Sequence, residues 1–472
     1  MSKISNNNFD LKKDNYLCLK IIEIINDNIY LKKKYAEPFN LIKIFYNELI
    51  KYSTNILLIK NSPFLYTDKV DFPYLNSNFI SKPKKINHIK KLSHLEINNF
   101  FLKDLIFNSK KKTIFLSNNL HIKKEILLEF VTSRQMQLIQ STNIHLPDYE
   151  YQMKNLEILL KKIMRFLNLK NQLFISNFLT YAENILLNDN RGVNFRPNNS
   201  ILIVGSNENI KNRTLSSKFL QNKSNKVISI NHSNYPFYIY KEPVRNIEYS
   251  FCTDYISYGN LDFSKKIKNK IFSTPKFHFM NHSDFRRLKK KDEIKKIQLH
   301  KDLKYLYAPN MLNGNIRYGP FRDIDDNIYY KFQNDLLSVF KNTKIKTHPK
   351  GKNLFFSENV KISNSKFEKI FDEYDVFIFD YFSTPFSRAI ATNKPIIYFD
   401  IGLRNLEKNV LDIIKKRVYY CKIVLNRDHK SQLQNFLVNI LTMEEKKTNL
   451  FTEKFSINNK NKNINMILKE II

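Results

Sequence analysis

Short runs of β-branched and aromatic residues alternate with segments whose apolar positions recur every three or four residues. That alternation predicts parallel βαβ construction. In the first half, strands are predicted over 55–60, 113–117, 201–204, 226–231 and 254–258. The stretch 151–187 is predicted to be helical, with Leu156, Leu159, Leu160, Ile163, Met164 and Leu167 at helical spacing. Pro197 then breaks the chain, and the polar turn 205–209 leads into a helix ending near Gln221. In the second half, strands over 304–308, 344–347, 376–380 and 395–399 alternate with helices over 327–341, 367–374 and 384–392. Residues from Asp428 onward read as helical, ending in an Asn/Lys-rich stretch and the apolar tail 464–472.

A chain of 472 residues exceeds one ordinary core, so two domains are the natural division. The pattern predicts an α/β protein with two Rossmann-like domains. The first covers 1–283 with a helical insertion at about 151–190; the second covers 303–472, with a basic segment, 284–302, between them. With 42% hydrophobic and 14% aromatic residues, the whole chain has the material to fold.

The formal charge of +34 changes this picture less than its size suggests. Lys, Asn and Ile dominate while Gly and Trp are scarce, which is the bias of an AT-rich coding sequence. A real anionic partner is the other reading: a nucleotide diphosphate, an anionic membrane face or a polyanionic acceptor. Nucleic acid is not expected, since no motif supports it. Segment 284–302 carries Arg286, Arg287, Lys289, Lys290, Lys291, Lys295 and Lys296 beside Phe285, Leu288, Ile294 and Ile297. It reads either as an exposed interdomain helix or as a membrane-surface helix. Cys18, Cys252 and Cys421 have neither disulfide nor zinc spacing, which fits a reducing compartment. No signal-type core precedes Lys13 and no run approaches the ~18 apolar residues of a spanning helix. A cytoplasmic protein, or one peripheral at the inner face of a plasma membrane, is expected.

Candidate chemistry concentrates at strand ends. The turn from Asp380 to Pro385 joins an apolar strand to a helix, with Thr384 as a suitable N-cap and Pro385 suited to the first helical position. Such a helix start can hold a phosphate at the carboxyl edge of an open sheet, although plain capping explains the same residues. His348 ends the preceding strand, where an imidazole donates to phosphate or moves a proton; a hydrogen bond to a loop is the competing reading. His232 ends a strand of the first half and is a candidate base for an acceptor hydroxyl, again against a purely structural role. Asp323, Asp325 and Asp326 resemble a D-x-D metal clamp, but acids before a helix ordinarily complement its dipole. The chain has neither G-x-G-x-x-G nor a P-loop, and no Cys/His cluster; no catalytic metal and no cofactor are expected.

Tyr307-Ala308-Pro309, Thr347-His348-Pro349, the run from Phe379 to Thr384 and the run from Lys394 to Asp400 together resemble the CDP-glycerol glycerophosphotransferase group. They are also similar to the related bacterial capsule and surface-polysaccharide glycosyltransferases, with Ile230 to Ser233 resembling a strand-end "HG" motif of the same proteins. The resemblance covers about 304–402 and, more loosely, 201–259. It implies the GT-B arrangement, two Rossmann-like domains facing across a cleft, and metal-independent transfer from a nucleotide-activated donor to a glycan or lipid-linked acceptor. It also implies that His348, Ser383 and Thr384 hold the donor diphosphate, that Asp380 organises their turn, and that His232 occupies the catalytic position. Two positions depart from the pattern: Ser233 replaces a glycine, and Arg388 stands where relatives carry a glutamate facing the donor ribose. Arg388 suits a phosphate or a sugar carboxylate instead. Glycosyl transfer in surface-polysaccharide synthesis is the leading expectation. Polyol-phosphate transfer on the same fold, and a noncatalytic polyanion-binding protein, are the alternatives.

Overall fold

The computed structural model describes residues 11–30, 40–50, 52–53, 114–117, 136–139, 148–169, 172–187, 198–207, 209–230, 248–258, 275–280, 303–309, 326–347, 362–363, 365–403, 406–440, 462 and 464–471. Two six-stranded sheets organise them, and every strand pair is parallel. The first sheet holds β1 (Ile114–Ser117), β2 (Met136–Ile139), β3 (Ile201–Val204), β4 (Lys226–Ile230), β5 (Asp254–Tyr258) and β6 (Lys276–Met280), in the order β2-β1-β3-β4-β5-β6. The second holds β7 (Tyr305–Ala308), β8 (Thr343–Lys346), β9 (Ile362–Ser363), β10 (Val376–Phe379), β11 (Ile396–Asp400) and β12 (Tyr419–Lys422). Its order is β12-β11-β10-β7-β8-β9, which is the 3-2-1-4-5-6 arrangement of a dinucleotide-binding sheet. The α/β class with two such sheets is therefore as the pattern predicts.

Strand composition explains the layering. β3 is Ile-Leu-Ile-Val and β10 is Val-Phe-Ile-Phe, apolar on both faces because helices cover both faces of a parallel sheet. In β10, Val376 and Ile378 enter one apolar cluster while Phe377 and Phe379 enter another. Tyr305 and Tyr307 of β7 split from Leu306 and Ala308 in the same way, as the two-residue period of a strand demands.

The helices are α1 (Leu11–Tyr30), α2 (Leu41–Ile44), α3 (Tyr149–Phe166), α4 (Leu173–Leu187), α5 (Ile210–Leu220), α6 (Asp326–Val339), α7 (Phe367–Ile370), α8 (Thr384–Ile390), α9 (Lys408–Lys415), α10 (His429–Asn439) and α11 (Ile464–Ile471). The helical stretch predicted over 151–187 consists of two helices. Asn168 adopts the left-handed conformation (φ 53°), and Leu169 N–H donates to the Met164 carbonyl at 2.9 Å, so α3 stops in a Schellman-type turn. Helices α1 to α4 share a core of their own, built from Ile21, Phe45, Leu159, Ile163 and Phe178 among others. Buried Arg213 ties this layer to the first sheet: its Nε donates to the Ile44 carbonyl at 2.6 Å, and its Nη2 pairs with the Glu48 carboxylate. Helix α11 lies against β6 of the first sheet, burying Ile464, Ile467, Leu468 and Ile471. Lys462 bridges in parallel to Met280, and Lys226 Nζ donates to the Ile471 carbonyl at 2.6 Å. The predicted strand 55–60 and basic segment 284–302 lie outside the described residues, and no described helix is long and apolar enough to cross a membrane.

Candidate functional site at the strand ends of the second sheet

In the second sheet the chain leaves β7 in one direction and β10 in the other, so the gap beyond their carboxyl ends is the topological switch point. Phe379 of β10 pairs with Ala308 of β7 and, on its other side, with Tyr398 of β11. Asp380 follows immediately, at the middle of the carboxyl edge. Sequence pattern alone does not reveal this placement, because the strand order is not written in local periodicity.

Asp380 is buried, and its Oδ2 accepts from two tyrosine hydroxyls: Tyr329 of α6 at 2.8 Å and Tyr307 of β7. Gln333, one helical turn beyond Tyr329, donates from Nε2 to the Tyr307 hydroxyl at 3.4 Å. Burial, then the Asp380 charge, pushes the Tyr307 hydroxyl well above the ordinary value of 10.0, so it remains a donor. Asp380 thus anchors the turn rather than presenting its carboxylate to solvent. The sequence pattern does not single out Tyr329 and Gln333: with Phe332 and Leu336 they recur at three- and four-residue intervals, which reads only as a core face.

The turn itself corrects one expectation. Ser383, not Thr384, is the N-cap: its backbone is extended (φ −138°, ψ 170°) and its hydroxyl accepts from Phe386 N–H at 3.4 Å. Thr384 and Pro385 are the first and second helical residues, where a missing proline N–H costs no helical bond. The seven-residue α8 buries Phe386, Ser387, Ala389 and Ile390, and leaves Ser383, Thr384, Pro385 and Arg388 half-buried. Thr384 and Arg388 stand four apart on the short helix that Ser383 caps, so these three predicted site residues lie on one element at the strand end. His348 and His232 lie outside the described residues; β8 ends two residues before the first, and β4 two residues before the second.

A cation that the sequence reading passed over also lies at this edge. Lys346 ends β8, is buried, and donates from Nζ to the Thr347 carbonyl at 2.7 Å. Burial lowers its pKa. Its strand lies next to β7, where Ile345 pairs with Tyr307. Farther along, Asp400 Oδ1 accepts from Gly402 N–H at 3.1 Å, and Oδ2 accepts from the Tyr420 hydroxyl. Gly402 has φ 82°, a conformation other residues rarely adopt, so this turn requires glycine.

The first sheet treats its corresponding loop differently. After β3, the Glu248 carboxylate accepts from the Ser206 hydroxyl at 2.5 Å and from Asn207 N–H at 2.7 Å. Arg213 Nη1 donates to the Asn207 carbonyl at 2.8 Å. An internal carboxylate thus stands at the entry to α5, where an external anion would otherwise meet backbone N–H groups. Among the described residues, no group of three or more His, Cys, Asp or Glu side chains is gathered as a metal would need.

A doubly wound parallel sheet whose central strand ends carry an anchored turn, a capped helix and nearby cations defines an α/β protein with its candidate ligand site at the switch point. The chain belongs to the LIC12162 family of transferases, whose profile matches residues 54–416. No curated protein matches the chain. Among solved structures it is similar to UDP-GlcNAc 2-epimerase from Neisseria meningitidis bound to UDP-GlcNAc, at 12% identity over 76% of this chain and 99% of that one, with a TM-score of 0.40. The UDP-GlcNAc 2-epimerase from Methanocaldococcus jannaschii gives 12%, 76%, 98% and 0.37. The glycosyltransferase SnogD from Streptomyces nogalater gives 9%, 70%, 94% and 0.31.

Proposed function

We propose that this transferase moves a sugar from a nucleotide-activated donor to a surface-polysaccharide or glycolipid acceptor, without a metal. The observation that carries the reading is the position of the Asp380 turn at the switch point of a 3-2-1-4-5-6 sheet. Family membership supports a transfer, in which a nucleotide held there would carry the donor group. Ser383 and Thr384 would meet the donor diphosphate, Arg388 a phosphate or a carboxylate of the donor, and His348 the leaving group. Asp380 would hold their turn in place. The acceptor hydroxyl would attack the anomeric carbon and lose its proton to His232 of the first domain, while the nucleoside diphosphate leaves with the bonding pair. Hydrogen bonds and fixed positive charge at the leaving oxygens would replace a metal in stabilising that step. The acceptor would be glycan or lipid-linked at the inner face of a plasma membrane, which gives the net charge of +34 an anionic surface to meet.

A thermal-shift panel tests this with UDP, GDP, CDP, CMP and their sugar or polyol conjugates. It would be run on the parent chain, His348→Ala and the double variant Ser383→Ala/Thr384→Ala, each against its own ligand-free melt. A stabilising nucleotide whose effect disappears in both variants supports the site. Indifference of the folded parent to every nucleotide would sink it. Turnover that releases CMP instead of a nucleoside diphosphate would replace glycosyl transfer by polyol-phosphate transfer.

A further inference from the structure

Among the described residues, the large apolar side chains exposed in the second half are scattered over separate elements: Ile328 on α6, Val424 before α10, Val438 on α10 and Met466 on α11. Helix α3 differs. Tyr151 and Ile158 are each 50% exposed, and Phe166 near the end of the helix is 38% exposed. Leu173, which opens α4 past the short turn that follows, is 65% exposed. At about 100° per residue, Tyr151, Ile158 and Arg165 recur every seven positions and lie along one line of the helix. Lys154 and Lys161 flank that line on one side and Lys162 on the other, all exposed. The acids Glu150 and Glu157 stand at the margin of this face, with Glu157 Oε1 2.6 Å from Lys161 Nζ. The opposite face, with Leu156, Leu159, Leu160, Ile163 and Met164, is spent on the helical core.

We infer that this outer face of α3, continued by Leu173, docks on an anionic lipid surface. The argument is complementarity of two kinds on one stripe. Four cations, Lys154, Lys161, Lys162 and Arg165, match anionic headgroups; Lys161 is partly neutralised by Glu157, and the other three each contribute about a fivefold factor in binding next to such a surface. Tyr151, Ile158, Phe166 and Leu173 supply apolar side chains to the headgroup boundary, where an amphipathic face with basic flanks is stable. A nucleic acid or a free polyanion would use the cations but gives the exposed apolar side chains nothing to enter. The inference deepens the proposed function only in its membrane-held acceptor, and it does not depend on which donor is used.

The test is co-sedimentation of the full chain with vesicles of phosphatidylcholine alone or mixed with phosphatidylglycerol. The variants are Lys161→Glu/Lys162→Glu and Tyr151→Ser/Ile158→Ser; all four side chains are exposed, so melting temperatures should stay near that of the parent. The parent should pellet with the anionic vesicles and not the neutral ones. The charge variant should bind at least about tenfold more weakly, and the apolar variant several-fold more weakly with its salt dependence kept. Vesicle binding that both variants retain in full would overturn the assignment to this face. A parent that ignores both vesicles would overturn the inference outright. RNA binding as tight as vesicle binding, and unaffected by Tyr151→Ser/Ile158→Ser, would replace it by a polyanion site. The nucleotide panel run on the same variants separates the two readings: a donor shift that persists without vesicle binding removes only the docking face.

Discussion

The Tyr329 hydroxyl donates to Asp380 Oδ2 at 2.8 Å, joining helix α6 to a residue 51 positions later at the end of β10. With the Tyr307 hydroxyl on the same oxygen, three separate elements converge on one buried carboxylate. Removing a donor from a buried charged acceptor costs about 1.5–3 kcal/mol. Tyr329→Phe should therefore lower the free energy of unfolding by that order, read as a lower denaturant midpoint at unchanged slope, and weaken the nucleotide-induced thermal shift. A variant with normal ligand response and unchanged stability would show that the turn at Asp380 does not depend on this bond.

Arg213 is fully buried and meets the Glu48 carboxylate and the carbonyls of Ile44 and Asn207. Breaking a buried pair from one side costs about 3–5 kcal/mol, because the surviving charge is stranded. Glu48→Ala and Arg213→Ala should each destabilise by that amount in equilibrium unfolding. The double change to methionine should recover part of the loss and not all of it, since the Ile44 and Asn207 carbonyls stay without this donor.

Lys43 of α2 is buried, and burial brings its pKa down from 10.5 to about 8. Below pH 8 the folded chain carries that buried charge at full cost. Between 8 and 10.5 the unfolded state binds more protons, so stability rises with pH in that window. Lys43→Met should stabilise by about 3 kcal/mol near neutrality, with the advantage shrinking as pH passes from 8 towards 10.5. Unfolding curves of parent and variant across that range check both the sign and the window.

The three thiols should be slow to react in the native state. Cys18 and Cys252 are buried, and burial pushes the half-buried Cys421 up to about 11. At pH 8 little thiolate is present at Cys421, and the thiolate is the nucleophile. Alkylation followed by intact mass should show rapid modification only after denaturant is added; fast native labelling at Cys421 would contradict the burial.

Where the second sheet's strands are short, apolar and closed by a turn residue, the sequence pattern places them to within a residue or two. Predicted strands 376–380 and 395–399 appear as Val376–Phe379 and Ile396–Asp400. Elements of mixed composition escape the same reading. β12 is Tyr-Tyr-Cys-Lys, and β6 alternates Lys-Phe-His-Phe-Met with only Met280 buried, so neither shows a full apolar run. α1 begins in the polar N-terminal stretch, whose first residues obscure the stripe of Ile21, Ile22 and Ile25. For the site, the Asp380 turn is legible because strand, cap and proline follow one another in sequence. The tyrosines that hold it are not legible, because the contacts span 51 and 73 residues.

Helix α11 also sets an order of assembly. β6 is the outermost strand of the first sheet, and its free side is met by Lys462 and the helix that follows. Those residues emerge from the ribosome after the strands of both sheets, so the earlier of the two sheets is completed after the later one has been made. Until then β6 presents unpaired backbone to its surroundings, a template on which another nascent chain can build. The last described residues thus close an edge of the earlier sheet, and the interval before they arrive is when that edge is open to a wrong partner.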